Sequence, residues 1–255
     1  MPVLIYPTAP NRLSARDIPG YELSASNFAH GEEGGDDDAE GDETDAWAWF
    51  RKDEASMEYR FLEEGMGRVA EAIRGAAGSS SSPSGTSPGA VDGTSEVKEE
   101  NENEPAIHGI IGFSQGGSTA AMVASAMEAG CETTTTTTTR TTTHRRRKPS
   151  SPRDEKWAAA LREANGNRPL RFAVIYSGFY AVPESLAWLY EPKISTPTLH
   201  FIGSLDTVVD ESRSRGLVER CEDPVVVVHP GGHYVPVGKE WVMMLAGFVR
   251  KCVVS

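Results

Sequence analysis

The stretch Gly109-Ile-Ile-Gly-Phe-Ser-Gln-Gly-Gly117 passes from an apolar run, through a serine set between glycines, into the alanine-rich segment Ser118 to Ala129. Ile107 to Phe113 is short and rich in isoleucine and phenylalanine, as a buried parallel strand is, and the segment that follows has helical composition. Ser114 therefore stands in a strand, sharp turn and helix, the setting of a G-x-S-x-G nucleophile elbow. A nucleophilic serine needs a strained turn that exposes its hydroxyl, and side chains at Gly112 and Gly116 are expected to collide with neighbouring backbone. The same turn places Ser114 at a helix N-terminus. There the Gln115 N–H and the helix dipole can stabilise an oxyanion.

A serine hydroxyl becomes a useful nucleophile when a histidine takes its proton and an acid orients that histidine, so both partners are sought downstream, acid first. Asp206 follows the run Thr198-Leu-His-Phe-Ile-Gly203 at the carboxyl end of an expected strand. His233 follows Val225 to His229 on the loop His-Pro-Gly-Gly-His-Tyr-Val-Pro. Two competitors stand close by. Asp210 could be the acid, though aspartate is also a favoured helix N-cap and a helix is expected to begin there. His229 sits at a strand end and reads as a core or hydrogen-bonded histidine, whereas His233 lies beyond Gly231-Gly232 on a loop able to reach Ser114. His200 falls inside an expected strand, His108 at a strand start, and His30 and His144 in polar segments.

Further outward, short apolar runs alternate with helical ones. Val3 to Tyr6, Ile107 to Phe113, Phe172 to Ser177, Thr198 to Gly203 and Val225 to His229 read as strands. Ala55 to Ala76, Gln115 to Ala129, Lys156 to Ala164, Asp210 to Arg220 and Lys239 to Val253 read as helices. Such alternation predicts a doubly wound, mostly parallel α/β sheet over a single domain, residues 1–255, with its chemistry at the carboxyl ends of the strands. Three segments lack the composition to pack and are expected as disordered, low-complexity insertions at about residues 31–44, 78–103 and 131–152. The aromatics Trp47, Trp49, Phe50, Phe179 and Tyr180 read as core more readily than as an acyl pocket.

Bulk properties narrow the partners. Lysine plus arginine number 25 against 37 aspartates plus glutamates, a formal charge of -12, which speaks against nucleic acid or an anionic membrane surface as main partner. Cys131, Cys221 and Cys252 show no CxxC pairing, so neither a disulfide framework nor a zinc site is indicated. No apolar stretch reaches the roughly 20 residues of a membrane-spanning helix, and the N-terminus lacks the features of a secretory signal. A cytoplasmic location is expected, with the basic run Arg145 to Lys148 leaving the nucleus as an alternative. There is no G-x-G-x-x-G after a strand, no phosphate loop and no H-E-x-x-H, so no cofactor is expected.

Tyr6-Pro-Thr-Ala-Pro10, Ala46-Trp-Ala-Trp-Phe50, Gly109 to Gly117, Tyr176-Ser-Gly-Phe179, Pro197 to Gly203 with Asp206, and Gly231-Gly-His-Tyr-Val-Pro236 together resemble the FSH-type family of small serine hydrolases. The resemblance implies an α/β-hydrolase fold, cleavage of small-molecule esters or thioesters, and Ser114, Asp206 and His233 as the triad. It also brings in an acyl carrier as an alternative acyl donor. Members of that family open with a further strand and a His-Gly loop that supplies a second oxyanion N–H. Met1 here falls after that point, so the expectation is a sheet lacking its first strand and an oxyanion hole reduced to the Gln115 N–H. Loss of one such donor costs on the order of a hundred- to a thousand-fold in rate. The competing reading is an N-terminally truncated, non-catalytic homologue acting by binding; another is an interaction protein working through its insertions.

Overall fold

The computed structural model describes residues 3–14, 45–79, 105–128, 132–137, 140–145 and 149–254. The predicted insertion at 31–44, residues 80–103 of the second, and His30 lie outside them. Near the N-terminus two small antiparallel pairs form: β1 (Asn11–Arg12) with β2 (Trp47–Ala48), and β3 (Arg51–Lys52) with β4 (Tyr59–Arg60). The latter leads into α1 (Leu62–Ser79). β5 (Gly109–Phe113) and α2 (Gln115–Glu128) follow, then a hairpin of β6 (Glu132–Thr137) and β7 (Arg140–Arg145), and α3 (Pro152–Ala164). The chain continues through β8 (Phe172–Tyr176), a 3-10 segment (Glu184–Tyr190), β9 (Thr198–Gly203), α4 (Glu211–Val218), β10 (Val225–His229) and α5 (Lys239–Val254).

The central sheet has four strands in the order β10-β9-β8-β5, every pair parallel. Parallel strands end together, so the turns after β5, β8, β9 and β10 gather at one edge of the layer. β8 reads Phe-Ala-Val-Ile-Tyr and is buried throughout, because alternate residues serve opposite faces. Ala173 and Ile175 join the larger core with Met66, Met122, Met127, Leu161 and Trp188. Phe172, Val174 and Tyr176 join Leu199, Phe201 and Val227 on the other face, where Trp241, Leu245, Phe248 and Val249 of α5 cover them. α2 is buried from Gly117 to Glu128, and its small side chains let it lie close to the sheet and its neighbours.

Several expectations need correction. Val3 to Tyr6 forms no strand; Val3 is 84% exposed and Tyr6 82%, and β propensity without a neighbouring ladder does not make a strand. β5 is accordingly an edge of the described sheet, with Ile111 and Phe113 partly open to solvent. Helix α1 begins at Leu62 rather than Ala55, because the Asp53 carboxylate accepts the Ala55 and Ser56 N–H groups, both at 3.0 Å, and closes a turn between β3 and β4. Within 131–152, the threonine-rich residues pair from Glu132 opposite Arg145 to Thr137 opposite Arg140 rather than lying unpaired, as β-branched residues favour. α3 already starts at Pro152, capped by Ser151.

Candidate active site

Ser114 occupies the single residue between β5 and α2 and has φ of 54°, the left-handed region that costs a non-glycine residue on the order of 1 kcal/mol or more. The surrounding structure holds it there: its N–H donates to Tyr176 O at 2.8 Å, and its carbonyl accepts from the Ser118 N–H at 3.1 Å. A Cβ on Gly112 would meet Gly116 O at 2.1 Å, so glycine is required at that position. Gly116 differs from the expectation: a Cβ there would find nothing nearer than Trp49 Nε1 at 3.8 Å. The second tight glycine is Gly117, where a Cβ would lie 3.1 Å from Tyr176 O and 3.2 Å from Gly178 Cα. The elbow is thus packed against the loop after β8 through Gly117.

Gln115 opens α2, where helix geometry leaves its N–H without an intrahelical acceptor. Its side chain has a separate task that the motif did not reveal. Oε1 accepts the Trp49 N–H at 2.7 Å and Nε2 donates to Phe50 O at 3.0 Å, clamping the Trp49-Phe50 segment to the start of the helix. Phe50 itself is core, stacked on Tyr59. No sequence spacing points to a clamp between residues 65 and 66 positions apart.

Asp206 lies in the turn after β9, its N–H bonded to Gly203 O. One carboxylate oxygen, Oδ1, accepts from the Val208 and Val209 N–H groups at 2.9 and 2.8 Å. The other, Oδ2, is 2.8 Å from His233 Nδ1. Burial pushes the Asp206 carboxyl up, but the bonds from His233 and the two amides outweigh it and hold it below its ordinary value. On the far side of the ring, His233 Nε2 stands 3.0 Å from Ser114 Oγ. An ionised carboxylate can only accept, so Nδ1 carries the ring hydrogen and the Nε2 lone pair faces the serine O–H. The Phe113 ring lies against the imidazole, with centroids 4.7 Å apart.

Glycines bring the acid and histidine loops together. A Cβ on Gly203 would sit 2.6 Å from the carbonyl oxygens of Gly231 and Gly232. Leu205 N–H donates to Gly231 O at 3.0 Å across the same contact. The competitors are placed elsewhere. Asp210 caps α4, accepting the Ser212 N–H at 2.8 Å. His229 is buried beside Tyr234 and Trp241, and burial lowers its pKa. His200 is buried against Cys221, its pKa pushed down to about 4, so it stays neutral. His108 lies in the approach to β5, and His144 in β7.

Residues 2–245 match the family described as serine hydrolase (FSH1). This chain belongs to the FSH1 serine hydrolase family. As a member it is similar to Family of serine hydrolases 2 of Saccharomyces cerevisiae, 26% identical over 251 residues that make up 97% of this chain and 80% of that protein. It also matches a Schizosaccharomyces pombe protein named dihydrofolate reductase, 35% identical over 128 residues, half of this chain and 22% of that one. Esterase OVCA2 of Xenopus tropicalis is 42% identical over 65 residues, 26% of this chain and 28% of its own length. The matched stretch thus spans about a quarter of the length of these last two relatives. Among solved structures, Zea mays acyl-protein thioesterase 2 superposes with a TM-score of 0.42 at 17% identity, covering 80% of this chain and 72% of that one. Among the described residues no helix of this family member is long and apolar enough to cross a membrane.

Proposed function

We propose that this FSH1-family serine hydrolase cleaves carboxylic esters or thioesters through an acyl-enzyme, with Ser114 as nucleophile, His233 as general base and Asp206 as the acid that orients it. The observation that carries the reading is the continuous run of contacts from Ser114 Oγ to His233 Nε2 at 3.0 Å and from His233 Nδ1 to Asp206 at 2.8 Å. His233 takes the serine proton as Oγ attacks the carbonyl carbon, and Asp206 stabilises the imidazolium that results. The Gln115 N–H, on the positive end of α2, meets the charge developing on the carbonyl oxygen. The imidazolium then protonates the departing alkoxide or thiolate. Water, deprotonated by the same histidine, attacks the acyl-serine and releases the acid.

Turnover of a panel of p-nitrophenyl esters and acyl thioesters tests this reading. Hydrolysis by the wild type that disappears in Ser114→Ala and in His233→Ala supports it. Hydrolysis that survives Ser114→Ala contradicts it, and a folded wild type inert towards every ester and thioester favours the non-catalytic, binding reading instead.

A further inference from the structure

We propose that Arg213 anchors an anionic group of the substrate, a carboxylate or a phosphate, at the rim of the Ser114 site; the inference rests on the serine hydrolase reading of that site. Arg213 lies in the first turn of α4, a helix whose cap, Asp210, follows the Asp206 turn by four residues. Its guanidinium carbon stands 4.4 Å from the centre of the Phe179 ring. Phe179 is in turn tied to the elbow: its N–H donates to Ser118 Oγ at 2.9 Å, one helical turn beyond Ser114, and Gly178 packs on Gly117. The turns after β5, β8 and β9 thus bring Ser114, Phe179 and Asp206 to the same edge of the sheet, where Arg213 stacks on Phe179.

What the neighbouring arginines do separates Arg213 from them. Arg215 is paired with Glu211, and Arg220 donates to Gly216 O while lying 3.7 Å from the centre of the Tyr180 ring. Arg213 is exposed, and among the described residues no carboxylate or carbonyl oxygen accepts from its guanidinium. Asp210, the cap of this helix, accepts the Ser212 N–H, and the Ser212 bonds together with the nearby Arg213 charge hold its carboxyl below the ordinary value without a hydrogen bond between the two side chains. Stacking on an aromatic face holds a guanidinium in place while leaving its N–H edge open, the arrangement suited to a planar or tetrahedral oxyanion. A cation fixed at the edge of the sheet that carries Ser114 would also draw an anion towards it. The anion could be carried on the acyl group or on the leaving group.

The test compares kcat/KM within two matched pairs for the wild type, Arg213→Gln and Arg213→Lys. The acyl-side pair is the p-nitrophenyl monoester of glutaric acid against p-nitrophenyl pentanoate. The leaving-group pair is the acetyl thioester of 4′-phosphopantetheine against that of pantetheine. Preference for the anionic member of one pair, falling about tenfold or more in Arg213→Gln, partly kept in Arg213→Lys and shrinking at high salt, supports the anchor and says which side carries the charge. Ratios that Arg213→Gln leaves unchanged in both pairs overturn it. Ser114→Ala keeps the two readings apart. Turnover that survives it sinks the hydrolase reading, while calorimetric binding of the same compounds to Ser114→Ala, with and without Arg213→Gln, reads the anchor without turnover.

Discussion

Replacing Asp206 by asparagine should leave the fold standing and remove the base. The direction follows from which atom each carboxylate oxygen faces. Oδ1 accepts from the Val208 and Val209 N–H groups, so the carbonyl oxygen of an asparagine must take that place, since an NH2 there would face two donors. The NH2 is then forced towards His233 Nδ1, now 2.8 Å from the carboxylate, and requires it to accept. The ring hydrogen moves to Nε2, which then donates towards Ser114 Oγ and has no lone pair to take its proton. A change of tautomer of this kind costs about 10⁴-fold in turnover, about 5 kcal/mol on the barrier. The fold should lose only about 1 to 2 kcal/mol at neutral pH, because both amides keep an acceptor. Steady-state hydrolysis of a p-nitrophenyl ester alongside thermal unfolding measures both. A loss of turnover below about tenfold in a folded protein would refute the tautomer argument.

Other outcomes follow from the same structure. Gly112→Ala should prevent accumulation of folded protein, since its Cβ would sit 2.1 Å from Gly116 O, whereas Gly116→Ala should fold and gain about 0.5 to 1 kcal/mol in thermal unfolding. Gln115→Ala removes bonds at 2.7 and 3.0 Å to the Trp49-Phe50 segment and should cost about 1 to 3 kcal/mol in denaturant unfolding. In the folded chain the Asp206 carboxyl lies below its unfolded value of 3.8. Its contribution to stability is thus fully present above that value and is lost as pH falls through the folded value, so Asp206→Asn should flatten the acid limb of the stability–pH curve.

The four strands of the sheet were legible to within two residues because parallel strands buried on both faces are continuous apolar runs bounded by glycine, proline or serine. The elbow was legible because strand, serine and helix are contiguous. What sequence reading missed depended on contacts distant in the chain or on local side-chain bonds. Val3 to Tyr6 has the composition of a strand but pairs with no strand among the described residues. The Asp53 carboxylate turned Ala55 and Ser56 away from helix, which an alanine and a serine do not announce. Gly116 looked indispensable by its place in the motif, but Gly117 is the residue pressed against the loop after β8. Asp210 and Asp206 were separable by position, the first at the expected start of a helix, which it caps, the second directly after a strand, where it faces His233.

Fluorophosphonate labelling of the purified chain, with the adduct located by mass spectrometry, reaches the central claim in one step. One adduct is expected, on Ser114, absent from Ser114→Ala and strongly slowed in His233→Ala. A folded protein that takes up no label, or that carries it on another residue, would contradict the assignment of Ser114 as an activated nucleophile.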